Sequence, residues 1–275
     1  MSDIKVGAII VTYNPEIDRF KQVIDSIANQ IDKIIIVDNN SKNRDKIKEI
    51  LKSYKNIEII ENGKNYGIGR GLNIGVEKLK DSVNWILTLD QDTVVLVKIK
   101  ELLKSCQLEN VGILALNSVG EESKYNNEKF VNGDWPIISG SIVNSEVYEN
   151  GIRYREEFFL DHVDMDFDFS VKSKGFKILK TTKKCIDHQW GKGIKSKKQR
   201  CEPNFRIYLT IRNGTRLFFE KKIPLKLYVG DNALYLGNFC PLLKNFILLP
   251  VILVLGFVDG FTDKFLFFEK FSILS

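Results

Sequence analysis

Cysteine and histidine are both scarce in this chain of 275 residues, which contains four cysteines and two histidines. The cysteines form no Cys-x-x-Cys pair and show no spacing typical of a zinc site or a disulfide framework, so we expect reduced structural thiols. They are Cys106, Cys185, Cys201 and Cys240. The N-terminus lacks a basic stretch followed by an apolar one, so no signal peptide is expected and a cytoplasmic location is predicted.

The chain also lacks an apolar run of the length that a membrane-spanning helix needs, about twenty residues. Residues 246–258 carry no charge, but Pro250 and Gly256 interrupt them. Two interpretations are open: an element that rests on a membrane surface as a peripheral contact, or a helix that docks on protein or on a second copy in a homo-oligomer. Candidates for insertion into lipid are Phe261, Phe265, Phe267, Phe268 and Phe271.

Composition places the chain among globular proteins, with 44% hydrophobic and 28% charged residues. The formal net charge of +6 favours an anionic partner such as a nucleotide or a lipid phosphate. Aromatic residues are concentrated in the last third and are not interleaved with Lys and Arg, as they are on a base-stacking surface. Nucleic acid is therefore not expected as a partner.

Short apolar runs alternate with stretches of helical periodicity, which predicts an α/β fold with a mainly parallel sheet and right-handed crossovers. Strands are expected over residues 6–11, 34–37, 57–60, 85–89, 111–116, 137–143 and 176–181. In such sheets ligands bind beyond the carboxyl ends of the strands. The site is therefore expected at that edge.

Three polar clusters follow the first, second and fourth predicted strands. They are Thr12-Tyr13-Asn14, Asp38-Asn39-Asn40-Ser41 and Asp90-Gln91-Asp92. Two carboxylates as close as Asp90 and Asp92 need a cation or hydrogen-bond donors to offset their charge, and Mg²⁺ or Mn²⁺ carrying a diphosphate would do so. The alternative is a solvated turn after a strand.

A glycine-rich segment, residues 61–71, precedes the third predicted helix and includes Asn65 and Gly69. Glycines that leave amide groups free at a helix N-terminus suit a phosphate or a sugar ring. The spacing matches neither the dinucleotide fingerprint nor the Walker loop. A turn whose small residues let the helix pack closely is the other interpretation.

Two later segments carry further candidates. Four aspartates occur within eight residues at the predicted start of a helix, where capping explains one or two of them but not all four, so that a catalytic carboxylate is a candidate role for another. They are Asp161, Asp164, Asp166 and Asp168. His188 at a strand end could complete a metal site as a neutral imidazole, or it is a structural residue. The basic run from Lys192 to Arg200 is either a solvated loop or an electrostatic gate over a diphosphate.

Taken in order, these motifs resemble the family 2 glycosyltransferases, most closely their bacterial rhamnosyltransferase-like branch, over roughly residues 4–215. The segments that carry the resemblance are Val11-Thr12-Tyr13-Asn14-Pro15, Val37-Asp38-Asn39-Asn40-Ser41, Asn65-Tyr66-Gly67, Asn73-Ile74-Gly75, Leu89-Asp90-Gln91-Asp92 and Phe158-Phe159-Leu160-Asp161 leading to Val163-Asp164-Met165-Asp166. Tyr208 and Arg212-Asn213 resemble a Tyr-x-x-x-Arg-Asn segment beyond the catalytic domain.

The resemblance implies a GT-A fold with a Rossmann-like sheet flanked by helices, a nucleotide-sugar donor, and Mg²⁺ or Mn²⁺ as cofactor. It assigns the metal to Asp92 with His188, the catalytic base to Asp164, and supporting roles to Asp161, Asp166 and Arg212. Donor-binding residues by the same resemblance and its neighbouring clusters are Thr12, Tyr13, Asn14, Asp38, Asn40, Asn65, Gly69 and Asp90.

The implied function is inverting transfer of a sugar, with rhamnose from dTDP-rhamnose as lead donor, to a growing polysaccharide or a lipid-linked glycan. Residues 1–215 would form the catalytic domain and 216–275 a helical hydrophobic appendage. Lys172 stands where the branch has an arginine; because lysine lacks the bidentate fork, substrate contacts there are expected to differ. The rival hypotheses are a sugar nucleotidyltransferase, which would carry a Gly-rich Arg-Lys signature near the first strand, and a non-catalytic nucleotide-binding partner of a transferase.

Overall fold

The computed structural model describes residues 4–188, 204–237 and 243–262. The basic run from Lys192 to Arg200, Cys201, Cys240 and the phenylalanines beyond residue 262 lie outside the described residues. The strands are β1 Val6–Thr12, β2 Lys33–Asp38, β3 Ile57–Glu61, β4 Trp85–Asp90, β5 Thr93–Val95, β6 Val111–Asn117, β7 Phe130–Asn132, β8 Ser141–Asn144, β9 Lys177–Lys184 and β10 Ile186–His188. The helices are α1 Ile17–Ile27, α2 Arg44–Leu51, α3 Ile68–Leu79, α4 Ile99–Lys104, α5 Ser145–Glu149, α6 Val163–Ser173, α7 Asn204–Phe219, α8 Leu225–Gly237 and α9 Leu243–Thr262.

The described residues group into two compact units, residues 4–157 with 163–188, and residues 158–162 with 204–237 and 243–262. The predicted boundary after residue 215 lies within α7. As a division of function, it stays a prediction.

The first unit is built on an eight-stranded sheet in the order β3-β2-β1-β4-β8-β6-β9-β7. Strands β1 to β4 pair in parallel, and the antiparallel pairs involve β7 and β8. Every residue of β1 is buried, as expected for a strand with both sheet faces covered. The mainly parallel α/β fold predicted from the sequence is confirmed.

Helix α3 packs unusually close to β1 because glycine faces the strand. A Cβ atom at Gly75 would lie 2.5 Å from Cγ2 of Ile9, and one at Gly71 would lie 2.7 Å from Cγ1 of Val11. Real side chains are not found at such distances, so glycine is what allows this approach. Of the two interpretations of the glycine-rich segment, the one in which small residues let the helix pack closely therefore applies to part of α3.

One predicted strand begins later than expected. The apolar run from Ile137 predicts a strand to residue 143, whereas β8 covers Ser141–Asn144. The residues before it turn, with Gly140 at a φ of +90°, and the Thr88 hydroxyl donates to the Ile138 carbonyl at 2.5 Å. Short β5, which the sequence analysis did not predict, pairs antiparallel with β10 as a separate two-stranded sheet.

The second unit is helical, with α7 packed against both α8 and α9. Small residues of α9 face α7: a Cβ atom at Gly256 would lie 3.1 Å from the Tyr208 carbonyl oxygen. The Tyr208 hydroxyl donates to the buried Asp259 carboxylate at 2.5 Å. No helix among the described residues combines the length and apolarity needed to cross a membrane.

Candidate active site

Polar side chains at the ends of β1 and β2 form one buried network. The Asp38 carboxylate accepts hydrogen bonds from the Thr12 hydroxyl at 2.9 Å and from the Ser41 amide at 2.9 Å and hydroxyl at 2.5 Å. Thr12 and Asp38 are fully buried. The Asn14 amide donates to the same serine oxygen at 2.8 Å. These residues therefore shape the loop after each strand.

Other predicted donor-binding side chains of these loops face outward. Tyr13 is 48% exposed, and Asn40 is exposed with a φ of +65°. Gln91, which was not among the predicted donor-binding residues, links the loop after β4 to the loop after β1: its side chain accepts from the Tyr13 amide at 2.8 Å and donates to the Tyr13 carbonyl at 3.3 Å. Among the residues of the loops after β1 and β2 that were predicted to bind the donor, Tyr13 and Asn40 are thus the exposed ones, and their donor-binding roles stay predictions.

Asp90, Asp92 and His188 form the candidate metal centre. One ligand atom from each lies within 4.8 Å of the others. The histidine arrives through the β5–β10 pairing, whose register sets His188 opposite Thr93. Its Nδ1 lies 3.9 Å from Asp90 Oδ2 and 3.7 Å from Asp92 Oδ1. The structure therefore brings His188, which is distant in the chain, to the Asp90 and Asp92 pair.

The chemistry of this cluster fits a divalent cation. Asp92 Oδ1 is buried, and within the described ranges no group forms a hydrogen bond to it. Burial raises the pKa of the Asp92 carboxyl, while the charges of His188 and Arg19 act in the opposite direction. A nearby dication would favour the ionised carboxylate. Two carboxylates with one imidazole are donors that suit Mn²⁺, and the oxygens also suit Mg²⁺.

A chain of hydrogen bonds through Ser139 and Thr93 connects Asp90 with His188. The Asp90 amide donates to the Ser139 hydroxyl at 2.9 Å, which donates to Thr93 Oγ1 at 2.7 Å. Thr93 Oγ1 lies 2.5 Å from His188 Nδ1. Sequence reasoning missed Thr93 and Ser139 because neither lies in a recognisable motif, and only the fold brings them to the metal centre.

The contacts of the glycine-rich segment, residues 61–71, are mainly structural. Asn65 Oδ1 accepts from the Gly67 amide at 2.9 Å, within its own turn. Gly69 is buried, and a Cβ atom there would lie 2.6 Å from the Arg155 carbonyl oxygen. The donor-binding roles of Asn65 and Gly69 stay predictions.

Three of the predicted acidic residues lie on α6. Asp164, in the first turn, is half-buried and accepts from the Met165 amide at 2.9 Å. Asp166 is buried and pairs with Arg155 at 3.1 Å. Asp168 is 2% exposed, and burial, followed by the Asp164 charge, raises its pKa well above the ordinary value. Asp166 is thus paired, and the burial of Asp168 favours its protonated form.

Asp161 and Arg212 belong to the second unit. Asp161 forms a two-pronged pair with Arg206, with its closest nitrogen-to-oxygen distance 2.8 Å. Arg212 is buried, donates to the Asn213 side chain at 2.9 Å, and lies 5.6 Å from the centre of the Phe158 ring. Their supporting roles in catalysis stay predictions.

Asn213 holds the segment that leads into the acidic region. Its side-chain amide donates to the carbonyl oxygens of Phe158, Leu160 and Asp161 at 2.8–3.0 Å. Phe159, Asp161 and His162 all have φ between +45° and +60°, a region that non-glycine residues rarely occupy. Such strain persists where surrounding contacts fix it and is common at functional sites.

Comparison with known proteins decides the family. Residues 8–169 match the profile of Glycosyl transferase family 2. The chain belongs to that family. A glycosyltransferase activity follows from this membership, and the resemblance read from the sequence is confirmed. The match includes the loops after β1 and β2, the Asp90 and Asp92 pair, and the start of α6.

Individual relatives agree with this assignment. The chain is 29% identical over 258 residues to "dTDP-rhamnosyl transferase RfbF" of Shigella flexneri, an alignment that covers 82% of this chain and 84% of that protein. The similarity supports a rhamnosyltransferase-like member of family 2.

Solved structures of low identity share the fold. A mannosyltransferase, PcManGT from Pyrobaculum calidifontis, in complex with GDP-Man and Mn²⁺, aligns with a TM-score of 0.59 at 14% identity, over 95% of this chain and 75% of that one. S. aureus TarS 1-349 in complex with UDP-GlcNAc also aligns with a TM-score of 0.59, at 15% identity, over 76% of this chain and 65% of that one. The predicted GT-A fold is therefore confirmed.

Proposed function

We propose that this glycosyltransferase moves a sugar from a nucleotide-sugar donor to a hydroxyl group of a growing polysaccharide or lipid-linked glycan, with inversion at the anomeric carbon. The observation that carries the proposal is the Asp90, Asp92 and His188 cluster at the carboxyl edge of the sheet in a family 2 chain. Rhamnose from dTDP-rhamnose is the lead donor, supported by similarity to a protein named as a dTDP-rhamnosyl transferase.

The donor end of the reaction needs a cation binding site and a nucleotide site. Asp90, Asp92 and His188 would hold Mg²⁺ or Mn²⁺, which when bound stabilises the negative charge of a departing nucleoside diphosphate. Tyr13 and Asn40, exposed at the same edge, would contact the nucleoside. Thr12, Asn14 and Asp38 would act by fixing the loops that present those two side chains.

The acceptor end needs a base, for which Asp164 is our assignment. Its carboxylate would take the proton of the acceptor hydroxyl while that oxygen bonds to the anomeric carbon. The bond from the anomeric carbon to the diphosphate oxygen breaks in the same step, so the anomeric centre inverts. The proposal requires Asp164 to face the donor sugar across from the metal centre.

The experiment that tests the base compares Asp164→Asn with Asp18→Asn. Both aspartates lie in the first turn of an 11-residue helix, so both variants lose a similar interaction with the helix dipole, about 0.3–1 kcal/mol. We expect Asp164→Asn to lower kcat about 10²–10⁴-fold and to keep donor affinity, while Asp18→Asn keeps wild-type turnover. Unchanged turnover in Asp164→Asn would reject the base assignment.

The donor is tested by thermal stabilisation with a panel of nucleotide sugars, with and without Mn²⁺. A ligand that binds only the native state raises its stability in proportion to affinity. Stabilisation by dTDP-rhamnose above the other donors, with sugar transfer, supports the lead assignment. Donor binding without transfer or hydrolysis, across the panel, would instead favour a non-catalytic partner.

We also propose that the second unit contacts the surface of an anionic membrane. Five apolar side chains of α9 are each 40–61% exposed, namely Val251, Val254, Phe257, Val258 and Phe261. The Phe219 ring packs edge-on against Phe257 and Phe261, and the exposed Lys221 follows it closely in the chain. Apolar side chains bordered by lysine fit a bilayer interface with anionic lipid.

Vesicle co-sedimentation tests this membrane proposal. Wild-type protein should pellet with phosphatidylglycerol-containing vesicles more than with phosphatidylcholine vesicles, and Phe257→Ser with Phe261→Ser should abolish the difference. Val119→Ser, at a 62% exposed apolar residue of the first unit, is the control and should bind like wild type. A dimer that the double variant disrupts, with no vesicle binding by wild type, would assign the face to a second copy.

A further inference from the structure

Arg19 is a buried cation in the first turn of α1 whose side chain reaches the metal centre. Its side chain is 10% exposed. Nε donates to the Asp92 carbonyl at 2.8 Å, and Nη2 donates to the Asp187 carbonyl at 2.6 Å and to Asp187 Oδ2 at 3.0 Å. Nη1 donates to the Gln22 side chain at 3.2 Å. One rigid guanidinium therefore holds backbone atoms of two segments that are far apart in the chain.

Both segments carry metal-ligand candidates. The carbonyl of Asp92 belongs to one candidate ligand, and Asp187 directly precedes His188. The pairing of β5 with β10, which joins three residues on each side, and the contact of Thr93 Oγ1 with His188 Nδ1 also connect these segments. An isolated two-stranded pairing is only marginally stable in water. Arg19 adds a fixed link from a third element, α1.

We propose that Arg19 is a positioning residue that sets the spacing between Asp92 and His188 and so determines how tightly the site binds a divalent cation. The inference rests on the proposed metal function of these ligands. Removal of groups that hydrogen-bond to metal ligands and orient them typically changes the affinity for the metal 10–100-fold. The backbone contacts suggest an effect of that kind.

Electrostatics and geometry predict opposite effects here, which makes the proposal testable. Removing a positive charge beside a cation site should, by charge alone, strengthen cation binding. Loss of the link should weaken it. Arg19→Met removes the charge and the link, and Arg19→Lys keeps the charge but cannot reproduce the planar, multi-point contact.

The matched control is Arg153→Met. Arg153 also donates to two backbone carbonyls, those of Tyr148 and Ile152, and to a carboxylate, Glu77. It is not part of the cation cluster. Loss of Arg153 therefore reports the general effect of removing an arginine that donates to backbone carbonyls and to a carboxylate.

The experiment titrates each purified protein with Mn²⁺, with and without dTDP, and measures free Mn²⁺ by electron paramagnetic resonance. We expect the Kd for Mn²⁺ to rise about 10–100-fold in Arg19→Met, to rise less in Arg19→Lys, and to stay within about twofold of wild type in Arg153→Met. Transfer by the Arg19 variants should recover at saturating Mn²⁺, because kcat depends on the filled site.

The outcomes separate the two proposals. A Kd in Arg19→Met equal to or below that of wild type, or a rise matched by Arg153→Met, would overturn the role of Arg19 alone. Wild-type protein that binds no Mn²⁺ in either condition would overturn the metal site and the role of Arg19 together. If Arg19→Met does not fold, Arg19→Lys decides: a wild-type Kd there rejects the proposal.

Discussion

Asn73 provides a sharp test of how the glycine-rich helix supports the acidic region. Its side-chain nitrogen donates to the Tyr154 carbonyl at 2.8 Å and to Glu156 Oε1 at 3.0 Å, and its oxygen accepts from the Tyr154 amide at 3.0 Å. Tyr154 is 3% exposed. The asparagine therefore satisfies both main-chain groups of a buried residue, as a neighbouring strand would.

The cost of Asn73→Ala follows from these contacts. It leaves a buried N–H and a buried C=O of Tyr154 without their partner, and each unsatisfied group costs about 1–3 kcal/mol. We expect the free energy of unfolding to fall by about 2–5 kcal/mol. Asn73→Asp should cost at least as much, because the carboxylate cannot donate to the Tyr154 carbonyl and adds charge beside Glu156.

Urea unfolding followed by circular dichroism measures the effect as a lower midpoint with an unchanged slope. The control is Asn150→Ala, which removes one exposed side-chain bond to the Glu146 carbonyl and should change stability by less than about 0.5 kcal/mol. Equal midpoints for Asn73→Ala and Asn150→Ala would refute the reasoning. The effect bears on function because the held segment carries Arg155, the partner of Asp166 on α6.

Three further predictions concern packing, protonation and the metal. Gly75→Ala should lower the free energy of unfolding, measured in urea, by about 1–3 kcal/mol because its Cβ atom overlaps Ile9. The control is Gly230→Ala, which has open space around it and should raise the free energy of unfolding by up to about 1 kcal/mol. Equal shifts in the two variants would contradict the packing argument. Burial raises the pKa of the Asp168 carboxyl in the folded state. Above a pH of about 4 the unfolded state therefore loses a proton that the folded state retains. The stability of the wild-type protein should fall as pH rises from there through the raised pKa. The Tm of Asp168→Asn relative to that of the wild type should therefore increase across that pH window. A difference in Tm that does not change with pH would mean that the Asp168 carboxyl is ionised in the folded state. Chelation by EDTA should abolish transfer, Mn²⁺ should restore it, and Asp92→Asn should require more Mn²⁺ for half-maximal rate; full activity in EDTA would exclude the metal requirement.

Much of the fold was predictable from local patterns. Apolar runs of strand length and helical spacing of apolar residues identified β1 to β4 and the helices between them, because buried faces impose those periods on the sequence. The rule that ligands bind at the carboxyl ends of parallel strands then assigned Asp90 and Asp92 to the functional edge. His188 followed as a candidate from residue type and its strand end.

The sequence by itself determined the alternation of strands and helices, the family, and the identity of the metal-ligand candidates, because each of these is recognised from short local stretches of the chain. Only the tertiary structure decided that Arg19, Thr93 and Ser139 support those candidates, and that Asn73 holds Tyr154. Each of these contacts joins residues far apart in sequence through one or a few hydrogen bonds. Such bonds leave no periodic pattern in the sequence, so they can be identified only from the tertiary structure.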